Sequence, residues 1–208
     1  MALVEGYTVE QAILYSQCVR FGEFRLKAGG ITTVYYDLRN LRSFPDLKAV
    51  CVQVLAAKAH GLKFDILADV PTGSTPLVSS LSDYLKVPQI TPRLHQKDHG
   101  ENHKIDGVYS PGQTALVIDD ALTTGKSISE GVTVLRDNGL VVTDALVLLD
   151  RENNGISDLS SQFGIRCDFV TTTRRVLECC LADPNFDPKN LSFLEKHLED
   201  LEKRANGR

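Results

Sequence analysis

The sequence predicts an α/β fold in which a mainly parallel sheet is flanked by helices. Three nearly continuous apolar runs, at residues 64–68, 114–118 and 145–149, each have the length of a strand. Helix-like segments separate them, and strands that are apolar along their whole length are typical of a parallel sheet buried on both faces. The 208 residues, 42% of them hydrophobic, suit one such domain. Ligands of these sheets bind beyond the carboxyl ends of the strands.

The first part of the chain, residues 1–45, is predicted to be a small helical region beside the sheet. Thr8 and Gln11 have the spacing of a capping box, which predicts a helix that starts at Thr8. A segment rich in glycine and aromatic residues follows at residues 21–36.

The central part, residues 46–185, carries the alternating pattern of the α/β fold. Residues 46–60 have the apolar stripe of a helix, and Gly61 follows where a helix would end. The other predicted elements are helices at residues 75–85 and 126–138, a terminating Gly139, and a fourth strand at residues 167–170.

The last part, residues 186–208, is predicted to be a helical tail. From Asn190 onward it is charged and helix-prone, and Leu194 and Leu201 form only a thin apolar stripe. Such a stripe predicts a solvated helix, with a partner-binding helix as the alternative.

The charge of the chain argues against two classes of partner. The formal net charge is -4 and the pI is about 5.7, whereas nucleic acids and anionic membranes attract basic proteins. No apolar run approaches the roughly 20 residues of a membrane span, and the first residues do not resemble a secretory signal. We therefore expect no nucleic-acid partner and no membrane partner.

The cysteines predict a reducing, cytoplasmic environment. Their number is odd and no pair has C-x-x-C spacing, so a disulfide framework and a zinc site are both disfavoured. The five residues are Cys18, Cys51, Cys167, Cys179 and Cys180.

A polar segment after the second apolar run has the composition of a phosphate site. Asp119 and Asp120 end the predicted strand, and Ser127 and Glu130 have the capping-box spacing of a helix start. The start of a helix offers free N–H groups and a positive dipole end, while hydroxyls donate to the same anion and glycine allows close approach. Paired acids suit sugar hydroxyls or hydrated Mg²⁺. The candidate phosphate residues are Thr123, Thr124, Gly125, Lys126 and Ser127.

Two other interpretations of this segment are weaker. Gly-Lys-Ser also occurs in the P-loop of nucleotide hydrolases, but that motif needs a glycine where this chain has Asp120. A turn with functionless acids is the second alternative, yet two adjacent acids against an apolar strand carry a desolvation cost that a turn does not need.

The segment from Val117 to Ser127 resembles the 5-phosphoribosyl-1-pyrophosphate (PRPP) signature of type I phosphoribosyltransferases: an apolar strand, two acids, two further residues and Thr-Thr-Gly. The resemblance implies a type I phosphoribosyltransferase fold with the N-terminal region as a small hood. It also implies that Asp119 and Asp120 hold the ribose hydroxyls and that the following loop holds the 5′-phosphate. The implied cofactor is Mg²⁺, held mainly through substrate oxygens and water rather than by protein ligands.

Further segments resemble orotate phosphoribosyltransferase and the first half of eukaryotic UMP synthase. Together with the PRPP segment they cover roughly residues 20–180 in the order of that family. The resemblance implies that orotate and PRPP are converted to orotidine 5′-monophosphate and pyrophosphate. The segments are Phe24–Gly29 with Tyr35–Arg39, Arg93–Gly100, and Leu148–Glu152.

The resemblance also assigns roles around the pyrophosphate. Lys27, Arg93, Lys97 and His99 would contact PRPP, and Lys97 is the leading candidate for the catalytic cation, with His99 beside it. The polar loop at residues 93–104 would close over the neighbouring subunit, which implies a homodimer. A metal site at the loop's three histidines is the disfavoured alternative, because no cysteine or acid pair accompanies them.

For orotate, the implied site combines a cation with aromatic rings. Arg151 follows a strand and could bind the orotate carboxylate with two parallel hydrogen bonds. A surface arginine paired with Asp150 or Glu152 is the alternative, and the tyrosines could equally belong to the core or an interface. The implied orotate residues are Lys27, Tyr35, Tyr36, Thr123 and Arg151.

Several positions depart from the family pattern. Leu94 replaces a basic residue, Thr72 replaces a tyrosine, Gly73 stands where bacterial members often carry lysine, and Thr32-Thr33 replaces Ser-Pro. These changes keep open two alternatives, a non-catalytic PRPP-binding paralogue and a phosphoribosyltransferase for another pyrimidine base. Retention of Arg151 argues against a base that lacks a carboxylate.

Overall fold

An antiparallel hairpin of β1 (Val19–Arg25) and β2 (Ile31–Tyr36) follows the first helix, α1 (Val9–Tyr15). The structure is a computed structural model that describes residues 6–25, 29–94 and 104–206. Thr8 caps α1, and its capping box with Gln11 is the one that the sequence predicts. The hairpin itself was not predicted, because its glycines interrupt the alternation of apolar residues that marks a strand.

A six-stranded sheet forms the centre of the molecule. Its strands are β3 (Ile66–Asp69), β4 (Gln89–Pro92), β5 (Ile105–Asp106), β6 (Ala115–Leu122), β7 (Asp144–Asp150) and β8 (Arg166–Thr172). The order across the sheet is β5-β4-β3-β6-β7-β8, and every pair is parallel except β4 with β5. The prediction of a mainly parallel sheet flanked by helices is therefore confirmed.

Helices cover both faces of this sheet. They are α2 (Pro45–Ala59), α3 (Thr75–Leu85), α4 (Lys126–Asp137), α5 (Gly155–Phe163), α6 (Thr173–Ala182) and α7 (Leu191–Asn206), and a 3₁₀ helix at Leu38–Ser43 precedes α2. Alternate residues of the strands enter two apolar clusters. Leu116 and Ile118 of β6 join α1, α2, α3, α6 and α7, whereas Ala115 and Val117 join α4 and α5. This double covering explains why β6 and β7 are apolar almost throughout.

The strand order reverses between β3 and β6. The chain passes from β3 to β4 on one side and then returns to place β6, β7 and β8 on the other. Loops that leave adjacent strands in opposite directions open a crevice at their carboxyl ends, which is where α/β sheets bind ligands.

The C-terminal helix differs from its prediction. Leu194, His197 and Leu201 of α7 are buried, and Leu194 belongs to the same apolar cluster as α1 and α2. The prediction of a solvated helix is therefore wrong. The packing of α7 against the core could not be predicted from two leucines alone. The third buried residue on that face of the helix is a histidine, which does not add to an apolar pattern.

The phosphate segment also differs in detail. β6 does not end at the two acids but continues to Leu122, and α4 begins at Lys126 as predicted. The predicted Ser127 capping box is wrong, because the N-cap is Gly125, which has no side chain to accept a hydrogen bond. Gly139 follows α4 with a φ of 84°, the left-handed conformation expected of a terminating glycine.

The five cysteine thiols are all free. Burial raises the pKa of Cys18 to about 11 and that of Cys51 to about 12, which keeps both thiols protonated. Within the described ranges, the helices are all too short or too polar to cross a membrane.

Candidate active site

Two carboxylates lie in the last part of β6, beside the carboxyl end of β3. Asp119 is 8% exposed, and the backbone N–H of Asp120 donates a 2.8 Å hydrogen bond to its Oδ1. Burial raises the pKa of Asp119 well above its usual range, and the neighbouring charge of Asp120 adds to this. Burial likewise raises the pKa of Asp120. Such a desolvated acid pair is suited to hydroxyl donors or a cation.

Asp69, at the end of β3, has its oxygens occupied within the protein. Its Oδ1 accepts hydrogen bonds from the Gln89 amide at 2.9 Å and from the Thr91 hydroxyl, and its Oδ2 accepts one from the Thr75 hydroxyl. The side chain is fully buried. Asp69 therefore ties β3 to β4 and to the start of α3, and it holds the neighbouring turn in place.

The turn after β3 approaches Asp120 closely. A Cβ atom on Gly73 would lie 2.8 Å from Oδ2 of Asp120 and 3.3 Å from its Cγ. Real Cβ atoms essentially never come this close, so a side chain at this position would displace the carboxylate. Glycine at position 73 thus leaves room for the carboxylate of Asp120.

A cation stands near the acid pair on the opposite side of the turn. Arg39 donates hydrogen bonds of 2.6 and 2.9 Å from Nε and Nη2 to the carboxylate of Asp37, which lowers the pKa of Asp37. Arg39 also lines a small groove together with Gly73 and Asp120. Its positive charge opposes the rise in the pKa of Asp120.

The predicted phosphate loop lies between β6 and α4. Its Thr123, Thr124, Lys126 and Ser127 are exposed, whereas Gly125 is buried with a φ of 75°. A Cβ on Gly125 would lie 2.8 Å from Cγ of Leu159 in α5, so close packing as well as backbone conformation requires glycine. The exposed hydroxyls and the first N–H groups of α4 are therefore presented together, as an anion requires.

A second glycine supports this loop from the neighbouring helix. Gly155 is the first residue of α5, and a Cβ at this position would lie 2.7 Å from the backbone oxygen of Thr123. Sequence reasoning missed this contact. The phosphate loop thus rests directly on the backbone of α5.

Arg151 follows β7, next to the phosphate loop. Its backbone N–H donates a 2.9 Å hydrogen bond to the oxygen of Leu122, and its guanidinium carbon lies 5.2 Å from the centroid of the Tyr36 ring. Burial lowers the pKa of Arg151, and of the residues that the structure describes, no carboxylate contributes to the shift. The carboxylate of Glu152 accepts a 2.9 Å hydrogen bond from the Arg174 backbone N–H, and Nε of Arg174 lies 3.9 Å from its Oε1.

The two predicted tyrosines differ in their surroundings. Tyr36 is 8% exposed, and its hydroxyl has no hydrogen-bond partner in the described part of the chain. Tyr35 is half-buried, with its ring 5.4 Å from that of Phe24 and 4.9 Å from the guanidinium carbon of Arg20. Tyr35 is thus packed against Phe24 and Arg20 of the hairpin, whereas Tyr36 is the tyrosine that lies against Arg151.

The cationic loop is described only at its two ends. Arg93 Nε donates hydrogen bonds of 2.9 and 3.0 Å to the two carboxylate oxygens of Asp106 on β5. Leu94 packs against the apolar cluster of α4, which explains why an apolar residue stands at this position. Lys27, Lys97 and His99 lie outside the described residues, as do the other two histidines of the loop.

No protein-family model matches the chain, whereas individual relatives do. An orotate phosphoribosyltransferase of Chlamydia pneumoniae is 32% identical over 194 residues, which are 92% of this chain and 92% of the relative. An orotate phosphoribosyltransferase of Caenorhabditis elegans is 40% identical over 146 residues, 69% of this chain and 64% of the relative. The uridine 5′-monophosphate synthase of Bos taurus is 37% identical over 163 residues, 77% of this chain and only 34% of that protein.

The chain belongs to the orotate phosphoribosyltransferase family. Solved structures agree with this assignment. The UMP synthase of Leishmania donovani superposes with a TM-score of 0.82 and 30% identity over 96% of this chain and 43% of that chain. The orotate phosphoribosyltransferase of Aeropyrum pernix superposes with a TM-score of 0.75 and 30% identity over 83% of this chain and 97% of that chain. The predicted type I phosphoribosyltransferase fold is therefore confirmed.

Magnesium is the cofactor that orotate phosphoribosyltransferase membership implies. Among the described residues, no group of three or more His, Cys, Asp or Glu side chains could hold a metal ion. The adjacent carboxyl groups of Asp119 and Asp120 nevertheless offer oxygen atoms to a cation that keeps most of its water and substrate ligands.

In this orotate phosphoribosyltransferase fold, the predicted phosphate loop and Arg151 follow neighbouring strands, and the sequence did not indicate several residues that support them. Gly73 and Gly155 follow strand ends, and a glycine at such a place is a usable signal for close backbone approach. Asp69 and His197 carried no such signal, because nothing in their neighbouring sequence indicates what they contact.

Proposed function

We propose that this chain transfers the phosphoribosyl group of PRPP to orotate and releases orotidine 5′-monophosphate and pyrophosphate. One observation carries the proposal: Arg151, without a carboxylate partner in the described chain, lies at the end of β7 beside the acid pair and phosphate loop of β6. Leu122 pairs with Asp150 in the sheet, so the two strand ends are adjacent. A carboxylate-binding group thus stands next to a sugar-phosphate site.

PRPP would be held by the end of β6 and the start of α4. The ribose hydroxyls would donate hydrogen bonds to Asp119 and Asp120, which would replace the water that burial removes from these carboxylates. The 5′-phosphate would accept hydrogen bonds from the exposed hydroxyls and backbone N–H groups of residues 123–127. Mg²⁺, bound mainly through substrate oxygens and water, would neutralise part of the substrate's charge.

Orotate would lie between the phosphate loop and the hairpin. Its carboxylate would take two hydrogen bonds from the guanidinium of Arg151, and its ring would lie near Tyr35 and Tyr36. The hydroxyl of Thr123 and the side chain of Lys27 complete the proposed orotate site. A guanidinium that is already partly desolvated binds a carboxylate more strongly than one in water.

The reaction would be a displacement at ribose C1. The bond from C1 to the pyrophosphate oxygen breaks, and the lone pair of an orotate ring nitrogen forms the new bond to C1. The proton that this nitrogen carries is released to water. Positive charge develops on the ribose and negative charge on the leaving pyrophosphate. Lys27, Arg93, Lys97 and His99 would stabilise the pyrophosphate, with Lys97 as the principal catalytic cation.

The proposal also covers the assembly, the compartment and the division of the chain. We propose a homodimer in which residues 93–104 act across the interface and cover the partner's pyrophosphate site. The five free thiols suit the reducing environment of the cytoplasm. The division into a hood at residues 1–45, a core at 46–185 and a tail at 186–208 likewise stays a prediction.

A steady-state assay with orotate, Mg²⁺ and PRPP tests the activity. Turnover of orotate at a kcat/KM at least a hundredfold above that for uracil is expected, because only orotate carries the carboxylate. Uracil used equally well would indicate a different base specificity. PRPP binding in calorimetry without turnover of either base would identify a non-catalytic paralogue, the alternative that Leu94 and Thr72 suggest.

Substitution of Arg151 tests the site. Arg151→Ala should raise the KM for orotate about tenfold or more, and Arg151→Lys should recover only part of the loss, because lysine cannot form two parallel hydrogen bonds. Arg166→Ala is the matched control, since Arg166 pairs with Asp144 at the opposite end of the sheet. An Arg151→Ala variant with normal orotate KM would remove Arg151 from its proposed role.

A further inference from the structure

The helix α7 is attached to the hairpin strand that carries Tyr36. The Thr33 hydroxyl donates a 2.8 Å hydrogen bond to the backbone oxygen of Phe193, and the Thr32 hydroxyl lies 3.4 Å from Nδ1 of His197. His197 is 3% exposed. The tail of the chain is therefore part of the wall behind the proposed orotate site.

Tyr36 lies between His197 and Arg151. Its ring centroid is 6.3 Å from that of His197, with an angle of 58° between the planes, and the Arg151 guanidinium carbon lies 5.2 Å from the same ring. The Tyr36 hydroxyl is buried and has no hydrogen-bond partner among the described residues. The orientation of the ring is set by the side chains packed against it, and the Thr173 side chain lies near its hydroxyl.

His197 is electrically suited to this position. Burial and the positive charges of Arg151 and Arg204 lower its pKa to about 4, against a smaller opposing effect of Asp200. The imidazole is therefore neutral at neutral pH. A charged side chain here would repel Arg151, whereas a neutral ring adds packing without adding charge.

We propose that His197 is a positioning residue for the base: its ring holds Tyr36 in place, and Tyr36 in turn supports the Arg151 guanidinium in the orientation that receives the orotate carboxylate. The inference rests on the proposed function, because it needs Arg151 to bind orotate. PRPP would bind at the acid pair and the phosphate loop, and its affinity should not depend on His197.

The test compares two buried residues of α7. His197→Ala should raise the KM for orotate about threefold to tenfold, while the KM for PRPP stays within about twofold. Leu194→Ala is the matched control, because Leu194 is also buried on α7 and belongs to the same apolar cluster as Tyr36, but it has no ring to pack against Tyr36. It should lower the melting temperature at least as much and leave the KM for orotate within about twofold. His197→Phe keeps an aromatic ring and should restore the KM for orotate.

The outcomes separate the two proposals. If His197→Ala and Leu194→Ala raise the KM for orotate equally, or if His197→Phe does not restore it, the inference is wrong. The packing of α7 as a whole, and not the ring of His197, would then determine the geometry of the orotate site. If Arg151→Ala raises the KM for orotate and His197→Ala does not, the inference fails and the proposed function stands. If His197→Ala does not fold, His197→Leu replaces it, because leucine fills similar volume without a ring.

Discussion

The guanidinium carbon of Arg151, the residue that follows β7, lies 5.2 Å from the centroid of the ring of Tyr36, the last residue of β2. Aromatic rings attract cations through their negative faces, and the attraction is larger where water is excluded. Among the described residues, Tyr36 is therefore a neutral partner of Arg151, and its ring does not occupy the hydrogen-bond donors of the guanidinium. A carboxylate partner from the protein would instead have competed with a carboxylate substrate.

Tyr36 should matter through its ring and not through its hydroxyl. Tyr36→Leu is expected to raise the KM for orotate about fivefold, because it removes a cation–π contact of about 1 kcal/mol. Tyr36→Phe should keep the KM within about twofold and hold or raise the melting temperature, since it removes a buried hydroxyl without a partner among the described residues. A Phe variant as impaired as the Leu variant would show that the hydroxyl contacts substrate.

The buried carboxyl group of Asp119 should lower the stability of the folded protein at neutral pH, although the activity depends on it. Because burial raises its pKa in the folded protein, stability is lost as the pH rises above the unfolded value near 3.8. Asp119→Asn should therefore raise the melting temperature at pH 7 by about 2–4 °C for each kcal/mol regained, and reduce kcat/KM at least a hundredfold. Asp83→Asn, at an exposed position of α3, is the control and should change neither quantity. A lower melting temperature for Asp119→Asn would contradict the prediction that the buried carboxyl group of Asp119 destabilises the folded protein at pH 7.

Gly73 should be intolerant of even one methyl group. Gly73→Ala places a carbon 2.8 Å from Oδ2 of Asp120, so the carboxylate must move, and kcat/KM for PRPP should fall about tenfold or more. Gly61→Ala provides the control, because nothing lies within 4 Å of a Cβ at that position. Equal activity in both variants would indicate that Asp120 can move without loss.

Gly155 should matter for the phosphate loop although it contacts no substrate. A Cβ at Gly155 would lie 2.7 Å from the oxygen of Thr123, and Gly155→Ala should raise the KM for PRPP about tenfold and cost about 1–3 kcal/mol of stability. Gly131→Ala in α4 is the control, because a Cβ atom at Gly131 would lie 3.5 Å from its nearest atom, Cγ of Pro92, which is an ordinary van der Waals contact. That variant should be more stable by about 0.5–1 kcal/mol, as measured by chemical denaturation.

The pH dependence of stability should report on His197. Its pKa is lowered from 6.5 to about 4, so the unfolded chain binds a proton in that range and the folded protein does not. Stability contributed by this group is therefore present above pH 6.5 and is lost as the pH falls toward 4. His197→Phe lacks the titration, and its melting temperature should fall less than that of the wild type between pH 7 and pH 4.5. If the melting temperatures of the wild type and of His197→Phe fall equally between pH 7 and pH 4.5, the lowered pKa of His197 is contradicted.

Much of the fold and the location of the proposed phosphate site could be predicted from the sequence, because the relevant residues are close together in it. Asp119, Asp120 and residues 123–127 form one continuous segment, and the strand before it and the helix after it are local patterns. The acids, the loop and the helix start are therefore neighbours in any fold that keeps that strand and helix. The boundary errors at Leu122 and Ser127 concern hydrogen bonds that local patterns do not specify.

The remaining features depend on contacts between distant segments. Thr32 and His197 are 165 residues apart in sequence, and no periodicity of α7 indicates that a histidine on it faces the hairpin. Gly73 and Asp120 meet only because β3 and β6 are neighbours in the sheet. The hydrophobic pattern of the sequence determines which helices and strands form and which face each of them buries, because both properties depend on residues that are close in sequence. Which side chains then meet at the site is decided by sheet order and helix docking, since burial energy is the same whichever partner covers the surface.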